Sequence, residues 1–161
     1  MSKSLKRVKL ALADAGVGAE ILEMPNETRT AADAAREANC HIDQIAKSII
    51  FRGEESDRLF LFITSGGRRV SSEKATDLVG ETLGRADAAY VRMVTGFAIG
   101  GIAPIAHLTS PRAFWDPRLS EFNTVYAAAG TPNHIFAIDP TELINISQAQ
   151  LADFTDEICK M

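Results

Sequence analysis

The most distinctive segment of the chain is Thr95-Gly96-Phe97-Ala98-Ile99-Gly100-Gly101-Ile102-Ala103-Pro104-Ile105-Ala106-His107. It has three glycines and one proline within nine residues, a composition typical of a fixed, irregular backbone path. Glycines let the main chain approach a ligand closely, and adjacent free N–H groups can hold an anion or a developing oxyanion. The same composition also suits a tight connection between two elements. Taken alone, the composition favours the tight connection.

A second feature is a lysine inside an apolar run, Lys47 in Gln44-Ile45-Ala46-Lys47-Ser48-Ile49-Ile50-Phe51. Such a lysine either extends its ammonium to solvent along an apolar surface or is held at a cleft, where it contacts an anionic or carbonyl group. Taken alone, the pattern favours the first interpretation.

A third feature is Ala127-Ala128-Ala129-Gly130-Thr131-Pro132-Asn133-His134, where a strand ends in small residues and a turn sequence. Small side chains next to such a turn could form one wall of a small pocket. A plain hairpin turn explains the same residues and is favoured when the segment is read alone.

Helix and strand signals alternate irregularly along the chain. The predicted helices cover residues 2–16, 30–39, 72–79 and 88–95, a turn after Asp139, and the chain beyond residue 146. The predicted strands cover residues 19–24, 46–52, 59–64, 113–116, 124–128 and 135–138, the second and third forming a hairpin. Scattered helices among short strands predict an α+β fold with a curved, mixed and partly barrel-like sheet flanked by helices. No linker or repeat interrupts the pattern, so residues 1–161 are expected to form one domain.

The bulk composition limits the classes of function. The net charge is −4, which argues against a general nucleic-acid binder, because Lys and Arg supply most nonspecific affinity for phosphate. Arg68, Arg69 and Lys74 nevertheless fall close together, either as a basic surface or as part of an ordinary solvated face. The basic N-terminus is expected to form an amphipathic helix rather than a signal peptide. With no membrane segment expected, the protein is placed in the cytoplasm, with Cys40 and Cys159 as free thiols.

The usual catalytic signatures are missing from the sequence. Its three histidines show no HExxH or similar spacing, so no metal site is expected. Neither a GxSxG motif nor a Walker or Rossmann glycine pattern occurs, and no organic cofactor is expected. Backbone groups, a lysine and a pocket remain as the candidate chemistry.

Together the three segments resemble the YbaK-like aminoacyl-tRNA deacylases, relatives of the editing domain inserted in bacterial prolyl-tRNA synthetases. The resemblance covers about residues 5–150 and fits in order and spacing. Its specific parts are Asp43-Gln44-Ile45-Ala46-Lys47-Ser48, residues 95–104, and Phe122-Asn123-Thr124-Val125-Tyr126 leading to Gly130. The resemblance implies the fold of the editing domain and hydrolysis of mischarged tRNA.

The resemblance also implies roles for individual residues. Lys47 corresponds to the lysine that faces the editing pocket, and Gly101-Ile102-Ala103-Pro104 corresponds to the family's G-x-x-P loop. The main-chain N–H groups of Gly100 and Gly101 are expected to hold the ester carbonyl oxygen. The residues expected to contact the substrate are Ser48, Ile99, Ala103, Pro104, His107, Ala128, Gly130 and Thr131. The residues expected to contact the acceptor end of tRNA are Arg68, Arg69 and Lys74.

Two positions depart from the cysteine-specific members of that family. Those members carry a serine after the Tyr-containing strand, where this chain has Ala128, and they do not use a histidine at the position of His107. The class of reaction is compatible with both differences, but the amino acid removed is left open.

The implied substrate is an aminoacyl-tRNA, with tRNA(Pro) carrying alanine or cysteine as the first candidate and prolyl-tRNA synthetase as a candidate partner. Either a water or the vicinal ribose hydroxyl would attack the ester, and a small pocket would exclude cognate proline. The alternative is a noncatalytic module that binds tRNA ends or a small metabolite and associates with a synthetase, because a fold resemblance alone does not establish turnover.

Overall fold

The computed structural model describes residues 2–27 and 30–157. Within them, the helices are α1 (Lys3–Ala15), α2 (Ala31–Ala38), α3 (Ser72–Val79), α4 (Ala88–Thr95) and α5 (Pro140–Ser147). The strands are β1 (Glu20–Glu23), β2 (Ile45–Gly53), β3 (Leu59–Ser65), β4 (Arg68–Val70), β5 (Leu83–Arg85), β6 (Arg112–Trp115), β7 (Val125–Thr131), β8 (His134–Ile138), β9 (Gln150–Leu151) and β10 (Thr155–Glu157). Two short 3₁₀ turns, Ile42–Gln44 and Pro117–Glu121, complete the elements.

Polar side chains cap the N-termini of the helices. The Ser2 hydroxyl accepts from the Leu5 N–H at 3.0 Å at the start of α1. The Thr30 hydroxyl caps α2, and the Asp139 carboxylate caps α5 with Pro140 as its first residue. Each cap satisfies an N–H that the helix itself leaves without a partner.

The main sheet is mixed, which confirms the predicted α+β class. Its strand order is β1-β8-β7-β2-β3-β6-β9, and β5 pairs with the far end of β2. β2 and β3 form the predicted antiparallel hairpin, whereas β7 joins β2, and β6 joins β3, in parallel. The two parallel pairings bring together segments that are distant in the sequence.

The sheet has an apolar cluster on each face. Leu5, Val8 and Leu12 of α1 pack with Trp115 and Phe136 on one face, and all five are at most 5% exposed. A second cluster is built from phenylalanines, namely Phe60, Phe62, Phe114 and Phe154. The Phe62 and Phe114 rings in it stack with their centroids 5.1 Å apart.

The predicted helix beyond residue 146 is wrong over the described residues. α5 ends at Ser147, and the chain then forms β9, which runs parallel to β6, and β10, which pairs antiparallel with β4. Phe154, between these strands, is fully buried, so the tail is fixed by packing rather than by a helical period. Residues 158–161, including Cys159, lie outside the described part. Over the part of the chain that is described, no helix combines the length and the apolar character needed to cross a bilayer.

One gap in the sheet leaves room for a cavity. The parallel β2–β7 ladder consists of Ile45 opposite Tyr126 and Ala46 opposite Ala127. Beyond these pairs, β7 is irregular between Ala128 and Thr131, where Gly130 has a φ of +97°. The two strands therefore separate, because a bulge bends its strand and ends regular pairing.

Candidate functional site

A cavity of about 380 Å³ lies where β2 and β7 separate. Residues from α2, β2, the β7–β8 hairpin and the glycine-rich loop after α4 form its wall. They are Thr30, Ala31, Ala34, Ile45, Ala46, Lys47, Ser48, Ile49, Ile99, Gly100, Ile102, Tyr126, Ala127, Ala128, Thr131, His134 and Ile135. Of the predicted site residues, Lys47, Ser48, Ile99, Gly100, Ala128 and Thr131 are brought together here.

Lys47 lies in the β2 wall of the cavity and is half-buried. Its Nζ donates to the backbone carbonyl of Arg68, which leaves further N–H donors on the ammonium. Burial lowers the pKa of Lys47, and the nearby carboxylates of Asp116 and Asp43 oppose that effect. The ammonium is thus partly desolvated, with negative charge close by.

The two carboxylates near Lys47 are fixed by hydrogen bonds. Asp116 is fully buried, and its oxygens accept from the backbone N–H groups of Ser65 and Arg118, each at 3.0 Å. Asp43 accepts from Arg118 Nε at 3.0 Å and from the Gly67 N–H at 2.9 Å. This cluster holds the negative charges beside Lys47 in a defined position.

Ser48 contributes a hydroxyl to the same wall. Its Oγ is buried and has no hydrogen-bond partner within the described residues. A buried hydroxyl without a partner costs free energy, and the great majority of buried polar atoms are paired. A polar atom of a bound ligand could supply that partner.

The glycine-rich loop forms a second wall through a tight turn. The Gly101 N–H donates to the Ala98 carbonyl at 3.1 Å, and Gly100, the third residue of the turn, has a φ of +102°. That φ and this hydrogen bond are typical of a type II turn, which favours glycine at its third position. Gly100 lines the cavity and is exposed.

The expected role of the Gly101 N–H is corrected by this geometry. Because that N–H already donates to Ala98, it is not free to hold an ester carbonyl in this structure. Gly101 is buried, and a β-carbon added to it would lie 2.9–3.0 Å from the backbone of Thr131. The absence of a side chain at Gly101 instead lets the loop pack on the β7–β8 hairpin.

Arg7 of α1 anchors the base of the loop. Its Nε donates to the Ala106 carbonyl at 3.0 Å, and its Nη2 donates to the Thr95 carbonyl at 3.3 Å. The guanidinium lies 4.6 Å from the centre of the Phe97 ring, which is fully buried. A single side chain therefore joins the two ends of the loop that carries Gly100.

Four of the expected substrate contacts do not line the cavity. Ala103 and Pro104 are buried beneath the loop, and Gly130 packs against Ser4 of α1. His107 donates from Nε2 to the Ala103 carbonyl at 2.8 Å. Burial lowers the pKa of His107 to about 4, so the ring is neutral at physiological pH. These residues support the loop from behind.

Several cavity residues were missed by the sequence analysis. His134 lines the cavity, and its Nδ1 is hydrogen-bonded to Thr131 Oγ1 at 2.6 Å. The polar turn before it was the only local signal. Tyr126 was noted only as part of a motif that carries the resemblance, and α2 gave no signal. The contacts that bring both to the cavity join distant parts of the chain.

Two of the three residues expected to contact tRNA have carboxylate partners. Arg68 Nη1 lies 3.6 Å from the buried Asp116, and Lys74 Nζ lies 3.1 Å from Asp153. Arg69 is exposed and stands opposite Asp156 in the β4–β10 pair. Most of the positive charge predicted for this surface is therefore compensated by acidic neighbours.

The arrangement suits a small polar or acyl group held against backbone donors. Its wall combines small apolar side chains, a partly desolvated ammonium, a buried hydroxyl and a glycine turn. Among residues 2–27 and 30–157, no three His, Cys, Asp or Glu side chains are grouped to hold a metal ion. Fold and site together define a small α+β domain with a cavity at the gap between β2 and β7.

Comparison with known proteins identifies the family. The sequence profile of the aminoacyl-tRNA editing domain matches residues 25–146. The chain belongs to the aminoacyl-tRNA editing domain family, which confirms the predicted resemblance to YbaK-like deacylases and supports a deacylase-like function.

Similar proteins match over nearly the whole chain. The structure of a candidate trans-editing enzyme for prolyl-tRNA synthetase shares 41% identity and a TM-score of 0.89, covering 97% of this chain and 99% of that one. A scaffold from a computational epitope-grafting study shares 39% identity and a TM-score of 0.90, with the same coverage. The uncharacterized protein YwhH of Bacillus subtilis (strain 168) is 27% identical over 157 residues, 98% of either chain.

Proposed function

We propose that this chain is a trans-editing aminoacyl-tRNA deacylase that acts in the cytoplasm. Its proposed substrate is tRNA(Pro) carrying a small wrong amino acid such as alanine or cysteine, with prolyl-tRNA synthetase as a candidate partner. The family and the similarity to a candidate trans-editing enzyme support the class of reaction. The observation that carries the proposal is the cavity at the β2–β7 gap, where Lys47, Ser48 and Gly100 converge on an alanine-rich wall.

The proposed reaction is hydrolysis of the ester between the amino acid and the terminal ribose. Water adds to the ester carbonyl, the bond from the carbonyl carbon to the ribose oxygen breaks, and that oxygen takes up a proton. The products are the free amino acid and uncharged tRNA. No covalent enzyme intermediate is needed, because such an ester is already activated.

The proposed roles follow from the contacts in the cavity. Gly100 presents its main-chain N–H toward the carbonyl oxygen, while the Lys47 ammonium holds the ester or the terminal nucleotide in register. Ser48 Oγ supplies a hydroxyl to the substrate, its only partner in this arrangement. One oxyanion donor contributes about 3 kcal/mol, and correct placement contributes roughly 7–11 kcal/mol. These two effects can account for catalysis without a nucleophilic side chain.

Selectivity is proposed to come from the limited space beside the alanine-rich wall of the cavity. Five alanines line the cavity, of which Ala34, Ala46 and Ala127 are buried. Close packing against these alanines makes binding sensitive to a single additional methylene in the substrate side chain. One methylene changes discrimination by about 1–3 kcal/mol, so a small side chain can be favoured over proline.

The test is a panel of tRNA(Pro) samples charged with alanine, cysteine or proline and incubated with substoichiometric protein. Repeated turnover of one or both small amino acids, with the proline ester intact, is the expected result. The proline sample is the matched control, because the tRNA and the ester linkage are the same and only the amino acid differs. Stoichiometric protection of the esters would instead support the noncatalytic binding module, and hydrolysis of all three at equal rates would contradict the size-based selectivity.

A further inference from the structure

We propose that the basic face of α1, together with the groove beside it, receives the acceptor end of the tRNA. This inference rests on the proposed function, because it names the surface that delivers the ester to the cavity. It replaces the surface of Arg68, Arg69 and Lys74 that the sequence suggested.

The groove adjoins the cavity across the β7–β8 hairpin. It measures about 470 Å³ and is lined by Ser2, Leu5, Lys9, Glu23, Thr131, Asn133 and His134. Thr131 and His134 also line the cavity, so the β7–β8 hairpin borders both spaces. A nucleotide chain that leaves the cavity over this hairpin enters the groove beside α1.

The charge on α1 suits a chain of phosphates. The helix carries Lys3, Lys6, Arg7 and Lys9 against the single acidic residue Asp14, in a protein with a net charge of −4. Lys3 and Lys6 are exposed and Lys9 is partly exposed. No carboxylate within the described residues pairs with these three lysines, unlike Lys74, whose ammonium contacts Asp153.

Arg7 is not counted in this surface, because its guanidinium is already bonded to the two loop carbonyls. Among the described residues that line the groove, Glu23 is the one carboxylate, and it belongs to the β1 side. Its Oε1 lies 4.0 Å from His134 Nε2. The phosphates are therefore expected along the α1 side, near Lys6 and Lys9.

A lipid surface fits α1 less well than tRNA. A basic helix that binds membranes inserts its apolar face into the lipid. Here that face consists of Leu5, Val8 and Leu12, each at most 5% exposed, and it is committed to the core. Only the charged face remains available, which suits phosphate contacts of the kind that dominate nucleic-acid binding.

The test compares two double variants of equal charge. Lys6→Ala/Lys9→Ala removes two positive charges beside the groove. Arg85→Ala/Arg92→Ala removes two exposed positive charges elsewhere on the protein. Arg85 lies on β5, which pairs with residues 51–53 of β2, whereas the cavity is lined by residues 45–49 of that strand. Binding of uncharged tRNA(Pro) is measured by fluorescence anisotropy across a salt series, and kcat and KM are measured on mischarged tRNA.

For the lysine variant, we expect weaker binding, with the log Kd against log salt slope reduced by about two because each phosphate contact contributes about one. The activity loss should appear in KM rather than in kcat. The arginine variant should match the wild type in both assays. Unchanged binding by the lysine variant, or an equal loss in both variants, would overturn the inference. If no mischarged tRNA is hydrolysed, the proposed function fails, and binding of uncharged tRNA still decides whether the α1 face receives tRNA.

Discussion

At the scale of single residues, Lys47 lies between the cavity and a pair of carboxylates. Its side chain lies in the cavity wall, while its Nζ contacts the Arg68 carbonyl near the buried Asp116 and the partly buried Asp43. The burial that lowers its pKa also strengthens its interaction with any developing negative charge, because the local dielectric is low. Removing the ammonium should therefore affect catalysis more than folding.

Lys47→Ala is predicted to lower kcat/KM for deacylation by about 100-fold or more, the usual effect of losing one electrostatic donor. Lys47→Met keeps most of the apolar stem and should lose as much activity, which separates the ammonium from packing. Steady-state kinetics measure the effect, and thermal unfolding serves as the control. Activity near wild type in a folded Lys47→Met variant would remove the ammonium from the mechanism.

His107 makes the stability of the protein depend on pH. Its pKa is lowered to about 4 in the folded state, against about 6.5 when unfolded, mainly by burial and also by the charge of Arg7. Between these two pKa values the imidazole is protonated in the unfolded state but not in the folded state. The free energy of unfolding therefore falls as the pH drops from about 6.5 to about 4. His107→Gln does not titrate and can still donate to the Ala103 carbonyl.

Relative to His107→Gln, the wild type should lose up to about 3 kcal/mol of unfolding free energy between about pH 6.5 and about pH 4. Urea unfolding of both proteins at several pH values measures the difference. If the unfolding free energy of the two proteins changed in parallel with pH, the pKa of His107 would not be lowered by folding.

Site residues could be predicted from the sequence where the local pattern is unusual or where it matches the motifs of the family. Lys47 interrupts an apolar run, and Gly100 occurs in a glycine-rich segment, so both stood out. His134 did not, because its Thr131 contact and its place at the cavity depend on the bulge in β7. The turn hydrogen bond of Gly101 likewise cannot be read from composition.

At the scale of elements, the glycine-rich loop is held at both ends and rests on the β7–β8 hairpin. Arg7 bonds its base, and Gly101 packs closely on the Thr131 backbone. A β-carbon added at Gly101 would come within 3.0 Å of backbone atoms, and no side-chain rotation can relieve such a contact. Either the loop or the hairpin would have to move. A movement of the loop would carry Gly100 with it.

Gly101→Ala is therefore predicted to lower kcat/KM at least tenfold, because small misplacements of a donor are costly, while the global fold is retained. Gly18→Ala is the matched control, since Gly18 has an ordinary φ and an added β-carbon would meet nothing within 4 Å. Kinetics and circular dichroism of both variants test this. Equal activity in the two variants would mean that the loop adapts without moving Gly100.

Elements with local signals were predicted well, whereas pairings between distant strands were not. The caps at Thr30 and Asp139 and the β2–β3 hairpin are encoded within a few neighbouring residues. The parallel β2–β7 pairing joins residues about 80 positions apart and has no local signature. The strands β9 and β10 form because the tail packs on β6 and β4, which is why a helix was wrongly expected there.

At the scale of the whole molecule, the distribution of charge matters more than its sum. The net charge is −4, yet the positive charges of α1 lie beside the groove, while Arg68 and Lys74 are paired with acidic residues. An acidic molecule repels the tRNA body at long range, and a local basic face attracts one end of it. Such a protein contacts few phosphates.

Few phosphate contacts predict weak tRNA binding with a shallow dependence on salt. If Lys3, Lys6 and Lys9 each neutralise one phosphate, the slope of log affinity against log salt should be about −2 to −3, since each contact contributes roughly −0.7 to −0.9. Binding of uncharged tRNA by the wild type and by Arg69→Ala, across about 50–300 mM salt, measures it. The Arg69→Ala slope should equal that of the wild type, because Arg69 stands opposite Asp156 on the β4–β10 ribbon. A slope steeper than about −5, or one that Arg69→Ala reduces, would show that tRNA spreads over a second face of the protein.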